Sequence, residues 1–112
     1  MVYKISYYKN TERASPIEKY IFRAQRPSQI KIARQLKYLQ EYGLNRGVLN
    51  LKKIIGYELW EARIIGKANI RIICFQQGSI IHILHIFSKK SQKTKDKDLL
   101  LADSRRSEIL DR

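Results

Sequence analysis

An α+β fold is predicted by three features of the sequence. Four short runs have strand character, two stretches of helical period separate the first run from the other three, and a further helical stretch closes the chain. The predicted order is β-α-α-β-β-β-α, a small antiparallel sheet packed by two N-terminal helices in one domain spanning residues 1–112. A chain of 112 residues can bury a single core without disulfides or a structural metal.

Residues 2–8 alternate, with Tyr3, Ile5 and Tyr7 on one face and Lys4 and Ser6 on the other, as a half-buried strand does. Ser15-Pro16-Ile17-Glu18 then has the form of a capping box, with Ser15 as cap and Pro16 at the first helical position. Ile17, Tyr20, Ile21 and Ala24 form the apolar face of that helix, and Arg26-Pro27-Ser28 interrupts it, because the residue before proline is steered away from helix. A second helix is predicted over residues 28–42, with Ile32, Ala33, Leu36 and Leu39 in one stripe and Gly43 as its stop.

Residues 43–56 read as a loop containing a short apolar piece, and residues 57–65 as the second strand. That strand places Leu59, Glu61 and Arg63 on one face and Trp60, Ala62 and Ile64 on the other, with Trp60 anchoring the core. Turn chemistry in Gly66-Lys67-Ala68-Asn69 leads to a third strand over 70–76, and Gln77-Gly78 to a fourth over 79–87. Strands so closely spaced imply an antiparallel meander. Its register is open: a three-residue loop over 76–78 places Arg71 on the face of His85 and Phe87, and a two-residue loop separates them. In the last helix Leu99, Leu100, Ala102, Ile109 and Leu110 are apolar, Arg105 and Arg106 are exposed, and Asp96 and Asp98 near its start suit the helix dipole.

With 23 Lys and Arg against 10 Asp and Glu, the chain carries a formal charge of +13 and a pI near 10.1, which points to a polyanionic partner, nucleic acid first. A membrane is not expected, since there is neither an apolar run of about 18 residues nor a signal-peptide pattern, and the expected location is the cytoplasm. Between Lys19 and Gln40 every charged side chain is basic: Lys19, Arg23, Arg26, Lys31, Arg34 and Lys37 give the helical hairpin a positive outer surface, or simply a solvated one. Cys74, the single cysteine, lies in an apolar run and reads as an inert core residue. His82 and His85 are three apart, which in a regular strand points them to opposite faces; no metal site is expected.

The chemistry is expected at residues 85–94, His85-Ile86-Phe87-Ser88-Lys89-Lys90-Ser91-Gln92-Lys93-Thr94, where an apolar strand gives way to basic and hydroxyl-bearing residues. A strand ending in lysines is a phosphate platform.

Leu59-Trp60-Glu61-Ala62-Arg63 and the Phe87-to-Thr94 segment together resemble the RelE/HigB toxin superfamily in its phage-derived branch, which couples a Leu-aromatic-Glu-x-Arg strand to Phe-x-Lys-Lys-x-x-x-Thr. The resemblance covers nearly the whole chain. It departs at Lys95, where the family pattern has Pro, and at Ile86, where it often has Gly. It implies a RelE-like fold and the toxin of a type II toxin–antitoxin system, a ribosome-dependent mRNA endonuclease that inhibits translation. The implied partners are a helix-turn-helix, HigA-like antitoxin, the ribosome and mRNA, with no cofactor. The last helix is the part implied to contact the antitoxin or to be displaced by it.

RNA cleavage without metal requires the 2′-hydroxyl to be deprotonated, the pentacoordinate phosphate to be stabilised and the 5′-oxygen to be protonated. Arg63, Arg71, Lys89 and Lys90 are the candidates to supply charge, and His85 titrates near neutrality; acid and base are left unassigned. Crowding of like charges lowers a lysine's pKa toward that of a base. Phe87, Gln92, Lys93 and Thr94 are the candidate RNA-binding residues, Phe87 by stacking. The competing readings are an Arg63 ion pair with Glu61 or Glu58, a hydrogen-bonded structural His85, core packing for Phe87, and helix capping for Gln92 or Thr94. The alternative function is a non-catalytic basic RNA- or ribosome-binding module, or a gyrase-directed toxin, of the same fold.

Overall fold

The computed structural model describes residues 2–89 and 94–112. In chain order the elements are β1 (Lys4–Tyr7), α1 (Pro16–Arg23), α2 (Arg26–Tyr42), β2 (Leu51–Ile54), β3 (Leu59–Ile64), β4 (Ile70–Gln77), β5 (Ile80–Ser88) and α3 (Asp96–Leu110). The fold is α+β as expected, with one strand more than the predicted order: Leu51-Lys52-Lys53-Ile54, read as part of a loop, is an edge strand. Four residues carry too little pattern to stand out, and this segment is a strand because it pairs with β3, Leu51 opposite Ala62 and Ile54 opposite Leu59.

The sheet order is β1-β5-β4-β3-β2. The β2-β3-β4-β5 meander is antiparallel, but β1 joins β5 in parallel, Lys4 opposite Ile80 and Tyr7 opposite Ile83, so the sheet is mixed rather than purely antiparallel. The two helices between β1 and β2 supply the long connection that this arrangement needs.

Local chemistry sets the helix ends. Ser15 caps α1 by accepting from the Glu18 amide at 3.2 Å, and Pro16 occupies the first turn, where its missing N–H costs nothing. Gly43 ends α2 at φ +74°, and a Cβ there would lie 2.7 Å from the Tyr3 ring, so both the backbone and the packing require glycine.

Helices cover both faces. On one, α1 and α2 bury Ile17, Ile32, Leu36 and Leu39 against Ala62, Ile70, Ile72, Ile81 and Ile83. On the other, α3 seats Ala102 against Leu59, Ile73, Phe75 and Leu84. Trp60 packs at the rim of the first core and is only half-buried, with Lys53 over its ring, so it does not anchor the interior as expected. Cys74 is fully buried and its thiol is pushed up to about 12 by burial, which leaves it inert.

Neither loop considered for the β4–β5 hairpin accounts for the register alone. The turn has two residues, Gly78 at φ +60° followed by Ser79, a sequence suited to a type II′ turn, and pairs Gln77 with Ile80. Continued regularly, that register would oppose Arg71 to Ile86. A bulge intervenes: Cys74 pairs with Ile83 but Ile73 with His85, which leaves Leu84 without a partner on β4 and restores Arg71 opposite Phe87. The bulge also corrects the expectation for the two histidines. His82 opposes Phe75 and His85 opposes Ile73, so both lie on the α3 face.

The bulge is held from α3. Arg105 donates from Nη1 to the Leu84 carbonyl at 2.7 Å, and its guanidinium lies 4.7 Å from the Tyr8 ring centre. Tyr8 in turn donates to Glu108 at 2.5 Å. Arg106 lies over Phe75 and beside Asp103. Both arginines are therefore half-buried rather than exposed as predicted, because their stems cover the second core. Among the described residues no helix is long and apolar enough to cross a membrane.

Removing the Arg105 guanidinium takes a hydrogen bond from the Leu84 carbonyl at the bulge. Arg105→Ala is expected to lower stability by about 1–3 kcal/mol in urea unfolding, with faster amide exchange around Leu84 and His85.

Candidate functional site

The two sheet faces differ in polarity. The buried polar side chains of the described residues, Glu61, Arg71 and His82, all lie on the α3 face. On β3 the alternation predicted from sequence holds, with Leu59, Glu61 and Arg63 on this side. Antiparallel pairing sets Glu61 opposite Ile73 and Arg63 opposite Arg71.

Glu61 is the hub. Its carboxylate is 1% exposed and accepts on Oε1 from Arg63 Nε at 3.1 Å and from Arg71 Nη1 at 3.1 Å. The Thr94 hydroxyl donates to Oε2, and Arg71 Nη1 reaches the same hydroxyl at 3.4 Å. A carboxylate this deep is tolerable only when charge-assisted bonds replace its hydration, and the two guanidiniums and a hydroxyl do so. The consequence is geometric: one carboxylate orients both guanidinium forks.

Beside this cluster, His85 Nε2 lies 2.9 Å from Asp98 Oδ1 in the first turn of α3, and Phe87 stacks on the His85 ring with centroids 4.7 Å apart. Burial lowers the His85 pKa, and the Asp98 hydrogen bond and charge oppose that in part. Lys89 continues the same edge, its amide donating to the Asn69 carbonyl at 3.0 Å. The Lys89 Nζ is shielded from solvent and has no hydrogen-bond acceptor among the described residues. Its pKa is lowered, first by burial and then by the positive charge of Arg71.

The structure thus brings together Arg63, Arg71, His85, Phe87, Lys89 and Thr94. Lys90, Gln92 and Lys93 lie outside the described residues. The Arg63–Glu61 pair read as the competing alternative is present, and it is part of the cluster rather than a surface ornament, because Glu61 also binds Arg71. Thr94 does not cap α3; Lys95 stands at that position and makes no side-chain cap. Two residues escaped the sequence reading as site members. Glu61 is two residues from Arg63 on the same strand face, a spacing that was available as a signal. Asp98 was visible only as a helix-dipole residue, and its contact with His85 depends on how α3 crosses the sheet. Among the described residues no group of three or more His, Cys, Asp or Glu is placed to hold a metal ion.

Two outcomes follow from this electrostatic arrangement. Glu61→Ala leaves the buried Arg71 without this carboxylate and is expected to cost about 3–5 kcal/mol in urea unfolding, whereas Arg63→Ala, at a half-exposed side chain, is expected to cost about 1 kcal/mol or less. His82 and His85 both have lowered pKa values, chiefly through burial, so the unfolded chain takes up their protons first. Their contribution to stability is complete above the ordinary value of 6.5 and is lost as pH falls below it. Thermal melting at descending pH should show that loss in the wild type and less of it in His82→Gln/His85→Gln.

Over residues 19–107 the chain matches the family described as Phage derived protein Gp49-like (DUF891). Comparison with curated proteins finds no match. The family span runs from within α1 to within α3 and contains every residue of the cluster just described. The chain therefore belongs to the Gp49-like family of phage-derived proteins, a family related to the toxins of toxin–antitoxin systems.

Proposed function

We propose that the protein is the toxin of a type II toxin–antitoxin pair, and that it arrests translation by cutting mRNA on the ribosome without a metal. The observation that carries this reading is the convergence of Arg63, Arg71 and Lys89 on one sheet face, with the Lys89 Nζ shielded from solvent and lacking an acceptor among the described residues. Such a group has lost hydration without gaining a partner among the described residues, and a phosphate oxygen or a ribose hydroxyl would supply one.

In the proposed reaction the neutral Lys89 amine takes the 2′-hydroxyl proton. The 2′-oxygen bonds to the adjacent phosphorus, and the bond to the 5′-oxygen breaks, leaving a 2′,3′-cyclic phosphate. Arg63 and Arg71, oriented through Glu61, bear on the charge that builds on the equatorial oxygens. His85, oriented by Asp98, protonates the departing 5′-oxygen, and Phe87 beside it offers a face for a base. The formal charge of +13 favours a ribosomal setting, where the surroundings are polyanionic. Lys90, Gln92 and Lys93 belong to the proposed RNA contacts by the sequence motif.

The proposed partner is a helix-turn-helix antitoxin that covers α3 and the site beneath it. Leu100 and Leu101 are exposed on that helix at 60% and 39%, an apolar surface that a partner would bury.

Induced expression is expected to stop translation, with primer extension showing cuts in mRNA. Lys89→Met keeps the apolar stem and removes the amine; with unchanged circular dichroism it should slow cleavage by about 100-fold or more. The wild-type rate should rise with pH as Lys89 gives up its proton and level off once His85 loses its own, below the ordinary histidine value of 6.5, and the rising limb should vanish in the variant. Undiminished toxicity of a folded Lys89→Met/Arg63→Ala protein would sink the assignment.

A further inference from the structure

We infer that the groove between α1, the start of α2 and the β3–β4 turn is a second RNA subsite, which takes single-stranded RNA continuing beyond the phosphate held at Arg63 and Arg71. This rests on the proposed function for its ligand and on separate residues for its geometry.

The groove consists of two adjoining clefts. The larger, about 630 Å³, is bounded by Lys19, Tyr20 and Arg23 of α1, by Lys67 and Ala68 of the turn, and by Ser88 at the end of β5. The second, about 340 Å³, shares Gln25, Ser28, Lys67 and Ala68 with the first and adds Lys31. Among the described residues four cationic side chains line the pair and no Asp or Glu does. Among the described residues Lys19, Arg23 and Lys67 make no ion pair.

The groove is built rather than merely charged. Lys31 of α2 reaches across to the turn and donates to the Ile65 carbonyl at 3.3 Å, and Gly66 makes room for it, since a Cβ there would sit 2.8 Å from the Lys31 Nζ. The Tyr20 hydroxyl is hydrogen-bonded to the Ser88 hydroxyl, which fixes the aromatic wall against β5. Pro16, Ala24 and Ala68 add apolar surface beside the polar Gln25 and Ser28.

Continuity with the candidate site comes from the backbone. Ser88 directly precedes Lys89, and the Lys89 amide is bonded to Asn69 in the turn that floors the groove. The groove and the candidate site therefore adjoin at the end of β5, where Ser88 lines the one and Lys89 belongs to the other.

Charge complementarity selects a polyanion, and the combination of cations with an aromatic wall selects an unpaired strand. Phosphates face the lysines and arginine while a base lies against Tyr20. A duplex keeps its bases stacked inside and has none to offer that wall.

The test uses fluorescence anisotropy with the full-length protein and uncleavable, fully 2′-O-methylated RNA: a dinucleotide, an octanucleotide and an eight-pair duplex. The octanucleotide should bind more tightly than either of the others. Lys19→Ala/Arg23→Ala/Lys67→Ala, with an unchanged melting curve, should weaken octanucleotide binding by about tenfold or more and leave the dinucleotide unaffected. Each phosphate that the variant no longer neutralises removes about 0.7 from the slope of log K against log salt, so the slope should become shallower by about 2. Wild-type affinity and salt slope in the triple variant would overturn the subsite, as would groove-dependent binding of the duplex in preference to the single strand. Because Lys19, Arg23 and Lys67 stand apart from the proposed chemistry, Lys89→Met tests the cleavage reading independently of these outcomes.

Discussion

The bulge at Leu84 is the constraint on which the rest of the site depends. A two-residue turn pairs odd residues of β4 with even residues of β5, and in that register His85 and Phe87 would point toward α1 and α2, away from Arg71. Skipping Leu84 reverses the parity halfway along the strand. The first half of the hairpin keeps the tight turn that suits Gly78, and the second half gathers Arg71, His85 and Phe87 on one side. The irregularity is stabilised by Arg105 from α3, so the helix that covers the site also maintains the register that creates it.

The two sides of the sheet divide the work of the domain. Toward α1 and α2 the interior is a continuous apolar cluster, with Ile17, Leu39, Ile72 and Ile83 almost wholly removed from water. That side contributes the larger share of apolar burial. Toward α3 the apolar cluster is small, and the sheet centre beside it holds a carboxylate, two guanidiniums and a histidine. Polar groups are tolerated there because the first core is complete without them. Glu61 makes the arrangement work: it offsets the burial of Arg71 and aligns Arg63 through the same oxygen.

The edge formed by the end of β5 and the β3–β4 turn joins this site to the basic helical hairpin. Lys89 bonds to Asn69, Ser88 to Tyr20 and Lys31 to Ile65, so three separate contacts connect the strand, the turn and both N-terminal helices. The exposed basic side chains of α1 and α2 are placed by the same packing that buries Ile17 and Ile32 on the opposite faces of those helices.

The sequence by itself determined whatever depends on near neighbours. Ser15 and Pro16 start α1, Gly43 stops α2, and alternation along β3 separates Glu61 and Arg63 from Ala62 and Ile64. The linked motifs at 59–63 and 87–94 pointed to the phage-derived family relationship, because they depend on residue identity rather than on contacts. Only the tertiary structure decided the rest. The strand character of residues 51–54 comes from pairing with β3, and the parallel place of β1 from docking beside β5. The shared face of His82 and His85 required a bulge whose Leu84 carbonyl is bonded by an arginine 21 positions away in sequence. A two-residue strand period is local information, but its phase between strands is set by side chains that meet only after the chain has folded.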